Sequence, residues 1–228
     1  MTPQLSTAAG TANVFRIGRR PDPWAWPDWA YVSGQNRWDD PGHTYRVLYA
    51  CTERQRTFAE TLARFRPDPA VVAGVAAVSG PDDGSLPPGH VPRSWITKRA
   101  MGSASLTGRF VDIGHNESLA VLRSALAPRL VHYRLSDLDG AAVRSADRAF
   151  TQEISQFLFQ YRSPDGAEPF AGIHYLSRLG DDFHNWAIFE NPGVNAVTRP
   201  SVTLFAADDV DLRAVLAHFH LTLVDDVA

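Results

Sequence analysis

Between Gly34 and Glu60 the chain passes from a polar turn through a short apolar strand into an amphipathic helix. This order constrains the fold more than any other feature. The stretch Gly34-Gln35-Asn36-Arg37-Trp38-Asp39-Asp40-Pro41-Gly42 is a loop that ends in a strong Pro-Gly turn signal. Residues 46–50, with Val47-Leu48-Tyr49-Ala50, read as a strand. Thr52 can cap the next helix, which runs to about Arg66. Phe58, Leu62 and Phe65 fall at i, i+4 and i+7 and make one apolar stripe, and Pro67 and Pro69 end the helix. Three successive elements thus deliver an arginine (Arg37), a tyrosine (Tyr49) and a carboxylate (Glu60).

The rest of the chain mixes short elements without regular βαβ alternation, which predicts an α+β fold. Residues 1–12 are small and polar and are expected to fray; residues 13–228 are read as one domain. Residues 20–30 hold three prolines and three tryptophans, so proline forbids a regular helix or central strand there. This loop is either a hydrophobic plug over the core or an aromatic wall of a ligand site. Residues 69–79 are rich in alanine and valine, and residues 80–92 are a loop by composition. Strands are expected near 14–17, 93–98, 108–113, 171–177, 185–190, 201–206 and 221–224. Helices are expected from an Asn116 cap to about Ala127, stopped by Pro128, then from a Ser145 cap through Ile154 and Tyr161, and from Asp208 or Asp209 to about His218.

Composition excludes several classes. With 228 residues, 44% hydrophobic and 21% charged, the chain is long enough to bury a core without staples. Its single cysteine, Cys51, excludes an internal disulfide framework and a cysteine-rich zinc site, and reads as a small buried hydrophobe. A net charge of -3 argues against direct nucleic-acid binding. No segment has the roughly 18 apolar residues that span a membrane. The first ten residues lack a secretory pattern, so a cytoplasmic location is expected. There is no P-loop and no G-x-G-x-x-G turn. His218 and His220 can share a strand face, but no third metal ligand has recognisable spacing.

The candidate residues each admit two readings. Arg37 is a surface arginine paired with Asp39 or Asp40, or a phosphate fork beside an aromatic ring. Glu60 lies about 200° around the helix from Phe58, at about 100° per residue. Arg56 and Arg64 flank it at i−4 and i+4, so a solvated ion-pair row explains it as well as a site does. In Gly172-Ile173-His174-Tyr175-Leu176-Ser177-Arg178, alternation puts Ile173, Tyr175 and Ser177 on one strand face. Ser177 is a turn starter or a site hydroxyl; without a G-x-S-x-G elbow it is no hydrolase nucleophile.

Together these clusters resemble the RES domain family. The resemblance begins at Phe15-Arg16 and continues through Gly34 to Gly42, where the family pattern is close to G-x-R-W-(N/D)-x-P-G. It includes Val47 to Ala50, Phe58-Ala59-Glu60 and Arg109 to Ile113. It ends with Gly172-Ile173-x-Tyr175-x-Ser177-Arg178 and Asn185-Trp186-Ala187-Ile188-Phe189-Glu190. The arginine, glutamate and serine for which the family is named match Arg37, Glu60 and Ser177. The loops at 20–30 and 80–92 look like elaborations on the family pattern.

The resemblance implies an ADP-ribosyltransferase-like fold, a split mixed β-sheet flanked by helices around an NAD cleft. It implies a toxin that breaks the nicotinamide–ribose bond, using NAD as a consumed substrate rather than a recycled cofactor. Inorganic phosphate, water or a protein would accept the ADP-ribose, with phosphorolysis favoured. Glu60 would stabilise the oxocarbenium-like ribose. Arg37 and Arg16 would bind pyrophosphate or phosphate. Tyr49 would pack beside nicotinamide or ribose, and Ser177 would hydrogen-bond it; Tyr31 and Arg178 are further substrate-binding candidates. The implied partner is a helix-turn-helix antitoxin, and homo-oligomers fit the family. A protein ADP-ribosyltransferase and a noncatalytic nucleotide- or antitoxin-binding module are the rival readings.

Overall fold

The computed structural model describes residues 4–11, 13–70, 87–163, 166–167 and 169–226. Eight strands form one mixed sheet: β1 (Thr7–Ala9), β2 (Val14–Arg19), β3 (Val47–Cys51), β5 (Arg99–Leu106), β6 (Arg109–Asp112), β7 (Gly172–Leu176), β8 (His184–Phe189) and β9 (Val197–Thr203). Their order is β1-β6-β7-β8-β3-β2-β5-β9, with β6 and β7 parallel and every other neighbouring pair antiparallel. A separate two-stranded sheet joins β4 (His90–Pro92) to β10 (Thr222–Val224).

The sheet divides between β2 and β3. These strands meet only at Phe15 and Cys51, whereas β2 pairs with β5 along its whole length. One half is therefore β1-β6-β7-β8-β3 and the other β2-β5-β9. The helix α1 (Arg54–Leu62) leads out of β3 and packs on β2, so it covers the division.

Strand composition explains the layering. Residues 47–51 are apolar on both faces, as a centrally buried strand must be. On one face Val47, Ile173, Ala187 and Phe189 pack with Phe150, Ile154 and Leu158 of a long helix at Ala149–Gln160. On the other, Leu48, Ala50, Trp186 and Ile188 pack with Trp24 of the proline–tryptophan loop. The second half of the sheet packs Ile17 and Met101 against Phe58 and Leu62 of α1 and against Leu212, Val215 and Leu216.

The other helices that lie wholly within the described residues are α2 (Ser94–Thr97), α3 (Asn116–Ala125), α4 (Ala127–His132), α5 (Gly140–Arg144), α6 (Ala149–Gln160) and α7 (Val210–His218). Several expectations change here. Thr7 to Ala9 does not fray, because it adds an edge strand to β6. Residues 93–98 contain α2, and the strand begins at Arg99. Pro128 ends nothing: it sits in the first turn of α4, where its missing N–H is not needed. Ser145 closes α5 rather than capping α6, and the α7 cap is Asp209, whose side chain accepts from Asp211 N and Leu212 N. Thr52 is not a cap; its hydroxyl accepts from Trp186 Nε1 and its N–H donates to His184 O. Strand β9 starts at Val197, and His218 ends a helix instead of sharing a strand with His220. The alanine–valine segment and the loop at 80–92 lie outside the described residues as far as 71–86. No described helix is long and apolar enough to cross a membrane.

The tryptophan loop splits its roles. Trp24 is buried against Gly102 of β5, where a Cβ would stand 2.4 Å from the indole nitrogen. Trp29 stays exposed, with the Arg46 guanidinium 5.0 Å from its ring.

Candidate active site

The site is assembled from the loop ahead of β3 upward. Asp40, 1% exposed, accepts from Gly42 N at 2.9 Å, from Thr44 N and Thr44 Oγ1 at 2.6 Å each, and from Gln156. Burial pushes its carboxyl up, but these bonds outweigh burial and hold it below the usual range. Asp39 accepts from Asn36 N at 3.0 Å and from Asn36 Nδ2 at 2.9 Å. The polar face of α6 closes the loop from the other side. Gln152 donates to Gly34 O and Asn36 O, Thr151 to Arg37 O and Ser155 to Trp38 O. The loop backbone is therefore fixed at both ends, which prepositions Arg37.

Arg37 pairs with neither Asp39 nor Asp40. Its Nη1 donates to Val143 O at 3.1 Å and Ser145 O at 2.7 Å, and its Nη2 to Arg144 O at 3.3 Å. The end of the fork thus satisfies carbonyls at the close of α5. No described residue accepts from Nε, so that edge of the guanidinium is left open. A guanidinium can hold protein with one edge and an oxyanion with the other. Burial lowers its pKa most; Tyr175 raises it, Arg178 and Arg148 lower it, and Glu60 raises it. Tyr175, Arg178, Arg148 and Glu60 therefore each lie within electrostatic reach of the Arg37 guanidinium.

Glu60 is half-buried, and its Oε1 accepts from Asn185 Nδ2 at 2.7 Å. The ion-pair row does not form. Arg56 turns to Glu53 and Asp182, at 2.8 and 2.6 Å, and Arg64 lies over the Phe65 ring. Asn185 is 2% exposed, and its Oδ1 has no hydrogen-bond partner among the described residues. A buried amide oxygen left unpaired in a finished fold is costly and marks a place where a donor is expected. Asn185 stands directly across from Tyr175 on one side and Cys51 on the other. These three side chains project from the sheet face that α1 overhangs. Cys51 is a buried thiol whose pKa is pushed far up by burial first and then by Glu60, so it is no nucleophile.

Ser177 fulfils the turn reading and keeps a free donor. Its Oγ accepts from Leu179 N at 2.9 Å, and its N–H donates to Phe183 O at 2.9 Å. Arg178 follows it, exposed. The turn after them is tied down twice, by Arg144 to Asp181 and by Arg56 to Asp182.

Tyr49 is engaged by protein. Its hydroxyl accepts from Trp38 N at 3.1 Å and donates to Asp39 Oδ1 at 2.8 Å. Burial, and then Asp39, push its pKa well above the usual phenol range. Its hydroxyl positions the Arg37 loop. Tyr49→Phe leaves the Trp38 N–H and an Asp39 oxygen unpaired, and is expected to cost about 1–3 kcal/mol in denaturant unfolding. A loss below about half a kcal/mol would show that the hydroxyl is dispensable to the loop.

Two candidates lie elsewhere. Arg16 occupies the division of the sheet, donating from Nε to Pro23 O at 2.7 Å and from Nη1 to Tyr49 O at 3.0 Å. It shares the Trp24 side of β2 with Gly102 opposite it, whereas Ile17 faces α1. Burial lowers its pKa to about 10. Tyr31 is 66% exposed, under the Arg19 guanidinium at 4.8 Å. Asn185, Asp39 and the Thr151–Gln152–Ser155 face were the residues sequence reasoning passed over. Asn185 and Asp39 stand inside the motifs quoted above, and the helix face had its own signal, a polar run inside an otherwise apolar helix.

The RES domain family model matches residues 13–213, nearly the whole chain. The chain belongs to the RES domain family. No curated protein matches it. Among solved structures, the M. tuberculosis MbcT–MbcA toxin–antitoxin complex contains a chain of similar fold, with TM-score 0.50 and 11% sequence identity. That similarity spans 94% of this chain and 90% of the other. The fold of this RES protein is the expected α+β arrangement, a mixed sheet flanked by helices that divides between β2 and β3.

Proposed function

We propose that this protein cleaves the nicotinamide–ribose bond of NAD and serves as the toxin of a toxin–antitoxin pair. The observation that carries the reading is the Glu60–Asn185 pair: a half-buried carboxylate held at 2.7 Å by an amide whose own buried oxygen lacks a donor. Loss of nicotinamide leaves positive charge on the ribose, and a fixed carboxylate beside it stabilises that charge. The Asn185 amide orients Glu60. The open edge of Arg37, with Arg178 and Arg148 close enough to act on it, suits phosphate oxygens. The Ser177 hydroxyl is left to donate to ribose or carboxamide.

NAD is consumed here, with inorganic phosphate as co-substrate and ADP-ribose phosphate as product. The partner is a helix-turn-helix antitoxin; the protein acts in the cytoplasm, contacts no nucleic acid directly, and can self-associate. Incubation with NAD, with and without phosphate, followed by separation of the products, tests this. Nicotinamide release that requires phosphate is the expected result. Release without a phosphate effect moves the activity to hydrolysis or protein modification, and intact NAD refutes the catalytic reading.

A further inference from the structure

Five cations gather where β2 ends and β5 begins, with Arg64 one turn beyond Glu60. Arg19 and Arg99 are direct cross-strand partners. Arg20 donates from Nε to Arg99 O at 2.8 Å and from its backbone N–H to Lys98 O at 3.1 Å. Arg64, at the end of α1, and Arg19 both depress the Arg99 pKa, which falls to about 10 chiefly through burial. Lys98 is the only lysine of the chain. Among the described residues none of the five forms an ion pair with a carboxylate, although Arg46, Arg54, Arg56, Arg93, Arg123, Arg129 and Arg144 all do. Like charges set directly opposite each other on neighbouring strands destabilise a sheet. In a chain of net charge -3, such a cluster attracts an anion from outside.

We propose that this patch docks an acidic peptide segment of a partner protein. Two features select that occupant. The guanidinium groups already cover the nearby rings: Arg19 lies 4.8 Å from the Tyr31 centroid, Arg99 5.2 Å from Trp95 and Arg64 4.7 Å from Phe65. Trp95 is buried as well, so these rings do not offer the open platforms on which nucleotide bases stack. The cations are spread over two strands and a helix end, a span that suits successive carboxylates along a chain better than one small anion.

The test uses the full chain and fluorescence anisotropy. The probes are a labelled glutamate-rich peptide carrying a few leucines, a single-stranded oligonucleotide of equal charge, and inorganic phosphate as competitor. The side chains of Arg19 and Arg64 are exposed and donate no hydrogen bond to the described residues, so Arg19→Glu combined with Arg64→Glu should fold; the melting temperature checks this. Saturable peptide binding is expected, weakened at least about tenfold by the double reversal and unchanged by Arg123→Glu on α3. Absence of saturable peptide binding, an unaffected double variant, tighter binding of the oligonucleotide, or displacement of the peptide by phosphate would each overturn the proposal.

Discussion

Glu60→Gln is expected to lower NAD cleavage about a thousandfold, some 4 kcal/mol of transition-state stabilisation, while leaving the protein folded. Glutamine keeps the size of glutamate and an oxygen that can accept from Asn185 Nδ2, so the contact at 2.7 Å survives. What disappears is the negative charge. A neutral amide can hold substrate but cannot stabilise the cationic ribose. Because Glu60 is half-buried and outside every hydrophobic cluster, its replacement should move stability by no more than about half a kcal/mol. Nicotinamide release and a thermal melt, measured on the same preparation, separate the two effects. Undiminished turnover would remove Glu60 from the chemistry. Matching losses of activity and stability would make it a structural residue.

Gly172→Ala should have the opposite signature, with structure failing first. A Cβ at Gly172 would lie 1.9 Å from Ala187 O and 3.0 Å from its carbonyl carbon. That obstacle is the backbone of the neighbouring strand, so no rotamer change relieves it. The φ of 157° at Gly172 also lies outside the usual strand region. Either β7 separates from β8 at this point or the strand register changes. The expected cost exceeds about 4 kcal/mol, a size reserved for a few mechanisms of which backbone strain is one. For a chain of this length that lowers the melting temperature by roughly 10 °C or more. Activity falls with it, because β7 and β8 present Tyr175 and Asn185 directly opposite each other. A variant melting within a degree or two of the parent would show that the two strands do not approach as described.

The two variants also show how unevenly the molecule was written in its sequence. The order of loop, strand and helix from Gly34 to Leu62 could be read from glycine and proline placement and from the Phe58–Leu62 spacing, because these are local effects. The strands around 109–112, 172–176 and 184–189 were legible for the same reason. Residues 93–98 were not. Trp95 and Ile96 look like strand residues, yet they turn inward from one turn of helix to fill the second core. Thr7 to Ala9 has no strand signal of its own and is ordered only because β6 offers it an open edge.

At the site, the identities of Arg37, Glu60 and Ser177 were available from motif order, but their partners were not. Arg37 has two carboxylates within three residues and bonds instead to carbonyls more than a hundred positions away. Glu60 has arginines one turn away on either side and bonds to Asn185 across 125 positions. Arg16 sits in the right motif on the wrong side of its strand for the cleft.

Local spacing, propensity and motif order therefore determined which elements form and which side chains are available for chemistry. Which donor meets which acceptor was decided by the tertiary structure alone, because packing the sheet against α1 and α6 brings distant groups together and excludes the water that would otherwise satisfy them.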